Sequence, residues 1–200
     1  MNVYANFSAA FLALVAAALM ALVGSASATV LTSPSGTVYT STIKAESEGT
    51  TTLHNSSLGV SVSCKKSTVE GKVESHGTGV TVKGNVSSLT FSECGSDTVT
   101  VLKAGSLEVH EKQGGNGYGT LTSLGAEITI KNSATGVSCT YTTGAGTDIG
   151  TLTGSGSTNA TLDIESATIP RTGDSILCGS KGQWTGSYKV TTPSTLLVDA

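Results

Sequence analysis

Val60-Ser61-Val62-Ser63-Cys64 decides the fold. Apolar and polar side chains alternate along it with a period of two, which places one set on each face of an extended strand. The alternation returns in Val80-Thr-Val-Lys83, Val99-Thr-Val-Leu-Lys103, Glu127-Ile-Thr-Ile-Lys131 and Leu162-Asp-Ile164. It returns once more, interrupted by one Gly, in Trp184-Thr-Gly-Ser-Tyr-Lys-Val190. One buried face and one wet face are the mark of an antiparallel sheet. Gly, Asn, Asp and Ser separate the runs at intervals of about 8–12 residues, the spacing of a sandwich or barrel. No segment after residue 28 holds a 3.6-residue apolar period long enough for a helix. The expectation is an all-β domain, an antiparallel β-sandwich or flattened barrel.

The cysteine that closes the opening stretch leads to a second pattern. Gly59-Val-Ser-Val-Ser-Cys64 is echoed by Gly136-Val-Ser-Cys139, and Val86-Ser-Ser-Leu-Thr-Phe91 by Ile164-Glu-Ser-Ala-Thr-Ile169, each of the latter pair followed by a Cys. Two pseudo-repeats follow, each reading as a strand with Cys, hairpins, a strand, then Cys. The four cysteines, Cys64, Cys94, Cys139 and Cys178, allow three connectivities. The repeat favours Cys64–Cys94 and Cys139–Cys178, because each unit then closes on itself. Loops of this length stabilise by about 3–4 kcal/mol each on the chain-entropy account. Zinc ligation needs closer spacing than these cysteines have, since no pair is nearer than 30 residues. An even number in an exported chain points to structural disulfides.

Export is read from the other end of the chain. Residues 1–28 hold no Asp, Glu, Lys or Arg and are continuously apolar from Ala9 to Val23. Gly24-Ser25 then breaks the run, and Ala26-Ser27-Ala28 supplies the small residues of a cleavage site. The run is shorter than the roughly 20 residues that span a bilayer, so no stable transmembrane anchor is expected. The reading is a signal peptide over 1–28 and a single secreted β domain over 29–200. That domain is extracellular or at the cell surface, or periplasmic in a Gram-negative cell. Charged residues make up only 12% of the chain and its net charge is −3. Without a basic stripe to neutralise phosphates, nucleic acid is excluded as a partner.

Candidate chemistry is sparse. His54, His76 and His110 are far apart, and no Gly-x-Ser-x-Gly elbow marks a nucleophilic serine. A hydrolase would need a Ser/His/acid site assembled in space around one of them. Glu46 and Glu48 share a strand face, and Glu108 and Glu111 flank His110. Glycoside cleavage by paired carboxylates also needs a sugar-holding cleft, and aromatic residues after residue 28 are limited to Tyr39, Phe91, Tyr118, Tyr141, Trp184 and Tyr188. These carboxylates read as solvated face charges. The stretches Gln113-Gly-Gly-Asn-Gly-Tyr-Gly-Thr120, Gly144-Ala-Gly-Thr-Asp-Ile-Gly150 and Gly154-Ser-Gly-Ser-Thr158 lack the strand–helix context of a phosphate loop and read as turns.

Tyr118, carried by the first of these stretches, reads as a contact residue. Trp184 and Tyr188 lie four apart on one strand face; inward they fill a core, outward they make an apolar platform. Phe91 reads as core. Sequons at Asn55, Asn85 and Asn159 are matches that a Ser/Thr-rich chain produces by chance. No catalytic, cofactor-binding or metal-binding residue is assigned, and no cofactor is expected.

On Gly-Val-Ser-Val-Ser-Cys64, Leu89-Thr-Phe-Ser-Glu-Cys94, Gly136-Val-Ser-Cys139 and Trp184-Thr-Gly-Ser-Tyr188, the region 29–200 resembles the secreted activator of alkane oxidation family of pseudomonads. It also resembles exported Thr- and Gly-rich proteins of soil actinobacteria. The resemblance implies an exported, non-enzymatic protein that assists growth on hydrophobic substrates, and it carries over no catalytic residue. The expected partners are a hydrophobic substrate, cell envelope or polymer. A secreted hydrolase and a self-assembling surface or coat subunit, pairing through exposed strand edges, are the alternatives.

Overall fold

The computed structural model describes residues 28–55, 60–75, 81–112, 117–173 and 176–199. The expected signal, apart from Ala28, lies outside the described residues, as do His76 and residues 113–116 of the glycine-rich stretch. The strands in chain order begin with β1 (Val30–Thr32), β2 (Thr42–Ser47), β3 (Thr51–Asn55), β4 (Val60–Cys64) and β5 (Lys66–Ser75). Next come β6 (Thr81–Ser92), β7 (Thr98–Lys103), β8 (Ser106–Glu111), β9 (Tyr118–Leu124) and β10 (Glu127–Lys131). The last are β11 (Ser138–Thr142), β12 (Thr147–Thr153), β13 (Thr161–Thr172), β14 (Lys181–Thr192) and β15 (Leu197–Asp199). Among the described residues the single helical element is a 3₁₀ turn, Ile176–Cys178. The all-β expectation holds, and of its two forms the structure takes the barrel.

Eight strands close on themselves in the order β14-β2-β5-β6-β8-β9-β12-β13 and back to β14, every pair antiparallel. Closure removes the barrel's own edges, which open sheets must protect. Alternation drives it. On β14 the buried positions are Gly182, Trp184, Gly186, Tyr188 and Val190, with every intervening side chain at least partly exposed.

β13 and β14 are 12 residues long and serve two sheets. Through Thr161–Asp163 β13 pairs with β12 inside the barrel, whereas Arg171 and Thr172 pair with β11. β14 divides likewise, bonding β2 through Tyr188–Thr192 and β3 through Gly182–Thr185. Between the two halves of β13 a bulge shifts the register from Ile164 to Ala167, with Ser166 in the left-handed region at φ 54°. A bulge of this kind bends and twists its strand, here redirecting β13 out of the barrel. The second sheet, β4-β3-β14-β13-β11-β10-β7, grows from those extensions and buries Leu53, Val62, Ile128 and Tyr141, of which Leu53, Ile128 and Tyr141 belong to one core with the barrel's residues. Trp184 sits at the junction, edge-on to Phe91 at 6.0 Å and to Tyr188 at 6.3 Å.

Disulfides join Cys64 to Cys94 and Cys139 to Cys178, the pairing the repeat favours. The first ties the end of β4 to the segment after barrel strand β6. The second ties β11 to the 3₁₀ turn between β13 and β14. The repeat survives in part: β6 and β13 are both 12-residue barrel strands followed by a bonded cysteine, each paired with the strand before it. It fails at the first strand of each unit, because β11 pairs with β13 while β4 pairs with β3. A separate two-stranded sheet, β1 with β15, buries Leu31 and Val198 at one end of the barrel. The Thr32 hydroxyl donates to Asp199 within this sheet, and the Thr29 hydroxyl ties it to barrel strand β8 by accepting the Glu111 N–H at 2.8 Å.

Candidate functional site

An eight-stranded barrel is just wide enough for its side chains to fill, or to hold one small ligand. This one is not filled. A cavity of about 80 Å³ lies on the inward faces of β2, β5, β6, β8 and β9, closed at one end by Leu31 and Leu196. A second void of about 30 Å³ shares Val69, Val86, Leu107, Leu121 and Leu162 with it and continues to Trp184.

Local backbone geometry explains the space. On β5 and β6 the inward positions include Gly71, Val73, Gly84 and Val86, paired as Gly71 with Val86 and Val73 with Gly84. Half of these positions therefore carry no side chain. Close backbone approach beside the β5 bulge between Glu70 and Gly71 requires the glycine at 71 and makes a side chain at 84 tight. A Cβ on Gly71 would lie 2.7 Å from the Asn85 carbonyl oxygen, and one on Gly84 3.2 Å from that of Lys72. Ala45 and Ile43 on the neighbouring β2 stand opposite Val69 and Gly71 and do not fill the gap. The walls are apolar; Lys72 and Asn85, which border the space, are exposed on the opposite faces of their strands.

A void with no polar partners stays dry. At about 24 cal/mol per Å³ an 80 Å³ void costs about 2 kcal/mol, and an apolar occupant restores the missing dispersion contacts. The chamber can bind an aliphatic group, and it holds no group that could act as acid, base or nucleophile.

The expected contact residues separate. Tyr118 opens β9 with 43% of its surface exposed. Trp184 and Tyr188 take the inward of their two arrangements: at 6% and 0% exposure they face the core and offer no outer platform for a partner. Tyr188 donates its hydroxyl to Ser67 Oγ at 3.0 Å, and burial raises its pKa above the ordinary tyrosine value. Phe91 is half-buried against Trp184 rather than enclosed.

His54 Nδ1 and Ser61 Oγ lie 2.8 Å apart across β3 and β4 on an exposed sheet face, and among the described residues no carboxylate pairs with that imidazole. His110 lies 3.6 Å from Glu108, which also pairs with Lys83 at 2.6 Å, on the outer barrel wall. Glu46 pairs with Lys44 at 3.0 Å, while Glu48 lies in the turn beyond β2. The structure does not bring these histidines and carboxylates to one place. Asn55 and Asn159 donate internally, to the Cys178 carbonyl at 2.8 Å and the Val190 carbonyl at 2.7 Å, whereas Asn85 is exposed. Among the described residues no cluster of His, Cys, Asp and Glu is set to hold a metal ion, and no helix is long and apolar enough to cross a membrane.

A second concavity lies on the outer wall, over β9, β12 and β13. It encloses about 520 Å³ and is flanked by Tyr118 and Lys112, with Asp148, Asp163 and Glu165 along it. Sequence reasoning singled out Tyr118 alone of these residues. Asp148 on β12 and Asp163 and Glu165 on β13 come together by the pairing of two consecutive strands, and Tyr118 joins them only because β9 pairs with β12. The chamber was equally hidden, since a glycine inside a strand does not announce which face it leaves bare. No family model matches the chain, and no curated protein or solved structure matches it.

Proposed function

We propose that this chain is an exported, non-catalytic β-barrel protein that works at the cell surface or outside it. It takes up the end of an aliphatic chain and so assists the use of hydrophobic substrates such as alkanes. The observation that carries this reading is the apolar chamber of about 80 Å³ with its narrower continuation towards Trp184. Its lining of Val, Leu, Ile and Ala side chains suits a hydrocarbon segment. The volume is about half that of a 150 Å³ apolar cavity that admits benzene, so the chamber takes the end of an aliphatic chain rather than a whole ring. Two disulfides suit an oxidising compartment, and the likeness to secreted activators of alkane oxidation supports the same substrate class.

The test is thermal unfolding of the mature protein in buffer equilibrated with n-butane or n-pentane, against buffer alone. A ligand that binds only the folded state raises Tm in proportion to its saturation. A concentration-dependent rise with the linear alkanes, smaller with cyclohexane, is expected. An unchanged Tm at alkane saturation contradicts the proposal.

A further inference from the structure

We propose that the outer groove over β9, β12 and β13 binds a polysaccharide strand. This site lies on the wall opposite the chamber's lining and does not depend on the alkane reading. Its concavity is built by two irregularities in neighbouring strands: the β12 register shifts between Asp148 and Gly150 against β9, and β13 carries the bulge around Ser166. Bulges bend strands and re-aim side chains, and they recur beside functional sites. Gly150 permits the approach, since a Cβ there would lie 2.0 Å from the Asp163 carbonyl oxygen. The enclosed volume of about 520 Å³ is within the roughly 300–1,000 Å³ of small-molecule sites.

The side chains define the ligand's chemistry. Cross-strand pairing sets Thr120, Thr151 and Asp163 in one row across three strands, and Tyr118 opposite Thr153 in the next. Tyr118, at 43% exposure, offers its ring to the flat C–H face of a sugar. Asp148 and Asp163 are oriented by hydroxyls, from Thr122 at 2.5 Å and Ser187 at 2.6 Å, and a carboxylate has about four acceptor positions. Glu165 is exposed, and Lys112 reaches Thr151 Oγ1 at 3.5 Å. The groove is thus rich in acceptors, with one aromatic plane. A hydroxyl-dense neutral chain satisfies both. Phosphate-bearing polymers are repelled by three carboxylates facing one lysine, and a hydrocarbon would strand those carboxylates without water.

The experiment is affinity electrophoresis of the folded mature protein in native gels containing dextran, xylan, a mixed-linkage β-glucan or glycol chitosan. Retardation by at least one neutral polysaccharide is expected. Tyr118→Ala should weaken that association at least tenfold, and Asp148→Asn or Glu165→Gln at least threefold, with Tm within a degree of wild type for the exposed Glu165→Gln. Ala45→Leu, which touches only the chamber, should leave retardation intact. Free migration in every neutral polysaccharide overturns the proposal. So does retardation confined to glycol chitosan and abolished by salt, or equal retardation of wild type, Tyr118→Ala and Glu165→Gln.

Discussion

Replacing Ala45 by Leu tests whether the barrel interior is truly open. Ala45 is 4% exposed, lies on β2 opposite Val69, and borders the cavity of about 80 Å³. The change adds three carbon atoms. At about 0.8 kcal/mol per buried methylene the transfer gain is about 2.4 kcal/mol, and fixing the leucine rotamer returns about 0.5–1 kcal/mol. The net expectation is stabilisation by about 1.5 kcal/mol. For a domain of this size that is a rise in Tm of about 3–6 °C. The same variant should lose the alkane-dependent rise in Tm, because its own side chain occupies the site. Differential scanning calorimetry with and without n-pentane reads both effects. In a well-packed core the same substitution forces strain and costs about 1–3 kcal/mol. A fall in Tm, or a rise with the alkane response intact, refutes the reasoning.

Three further outcomes follow from the packing and the cross-links. Phe91→Ala should cost about 2 kcal/mol by urea denaturation, less than the 3–5 kcal/mol of a fully enclosed phenylalanine, because that ring is half-buried edge-on to Trp184. Replacing both Cys139 and Cys178 by Ala opens a loop with a sequence separation of 39 and should cost about 4 kcal/mol, visible as a large drop in Tm. Stability should hold up to pH 10.0, the ordinary tyrosine value, and fall above it. Burial raises the folded-state pKa of Tyr188, so the folded protein keeps a proton that the unfolded chain releases there. Tyr188→Phe should lessen that alkaline decline in a pH series of denaturation midpoints, leaving the share of Tyr141, whose pKa burial also raises.

The strand alternation in β4, β7, β10 and β14 made the fold class legible, because a period of two is written locally. Cysteine pairing was legible through the echo between Val86–Phe91 and Ile164–Ile169. Barrel closure was not, because it rests on pairings such as β14 with β2, which join residues at opposite ends of the chain. The face of Trp184 and Tyr188 was equally undecided: alternation shows that they share a side, and only the curvature of the closed sheet makes that side the interior. The exposure of Tyr118 was legible because glycines surround it. The chamber was not, since Gly71 and Gly84 combine into a void only when β5 and β6 pair in a register that sets Gly71 opposite Val86 and Val73 opposite Gly84.

Methyl-resolved NMR of residues 29–200, with ¹³C-labelled leucine and valine, reads occupancy of the chamber itself. On titration with n-pentane, saturable shifts should appear at the methyls of Val73, Val82, Val109, Leu121 and Leu162, which line the chamber. Leu102, exposed on the second sheet, should not move. Unshifted chamber methyls at alkane saturation, or shifts confined to exposed residues such as Leu102, would contradict the account.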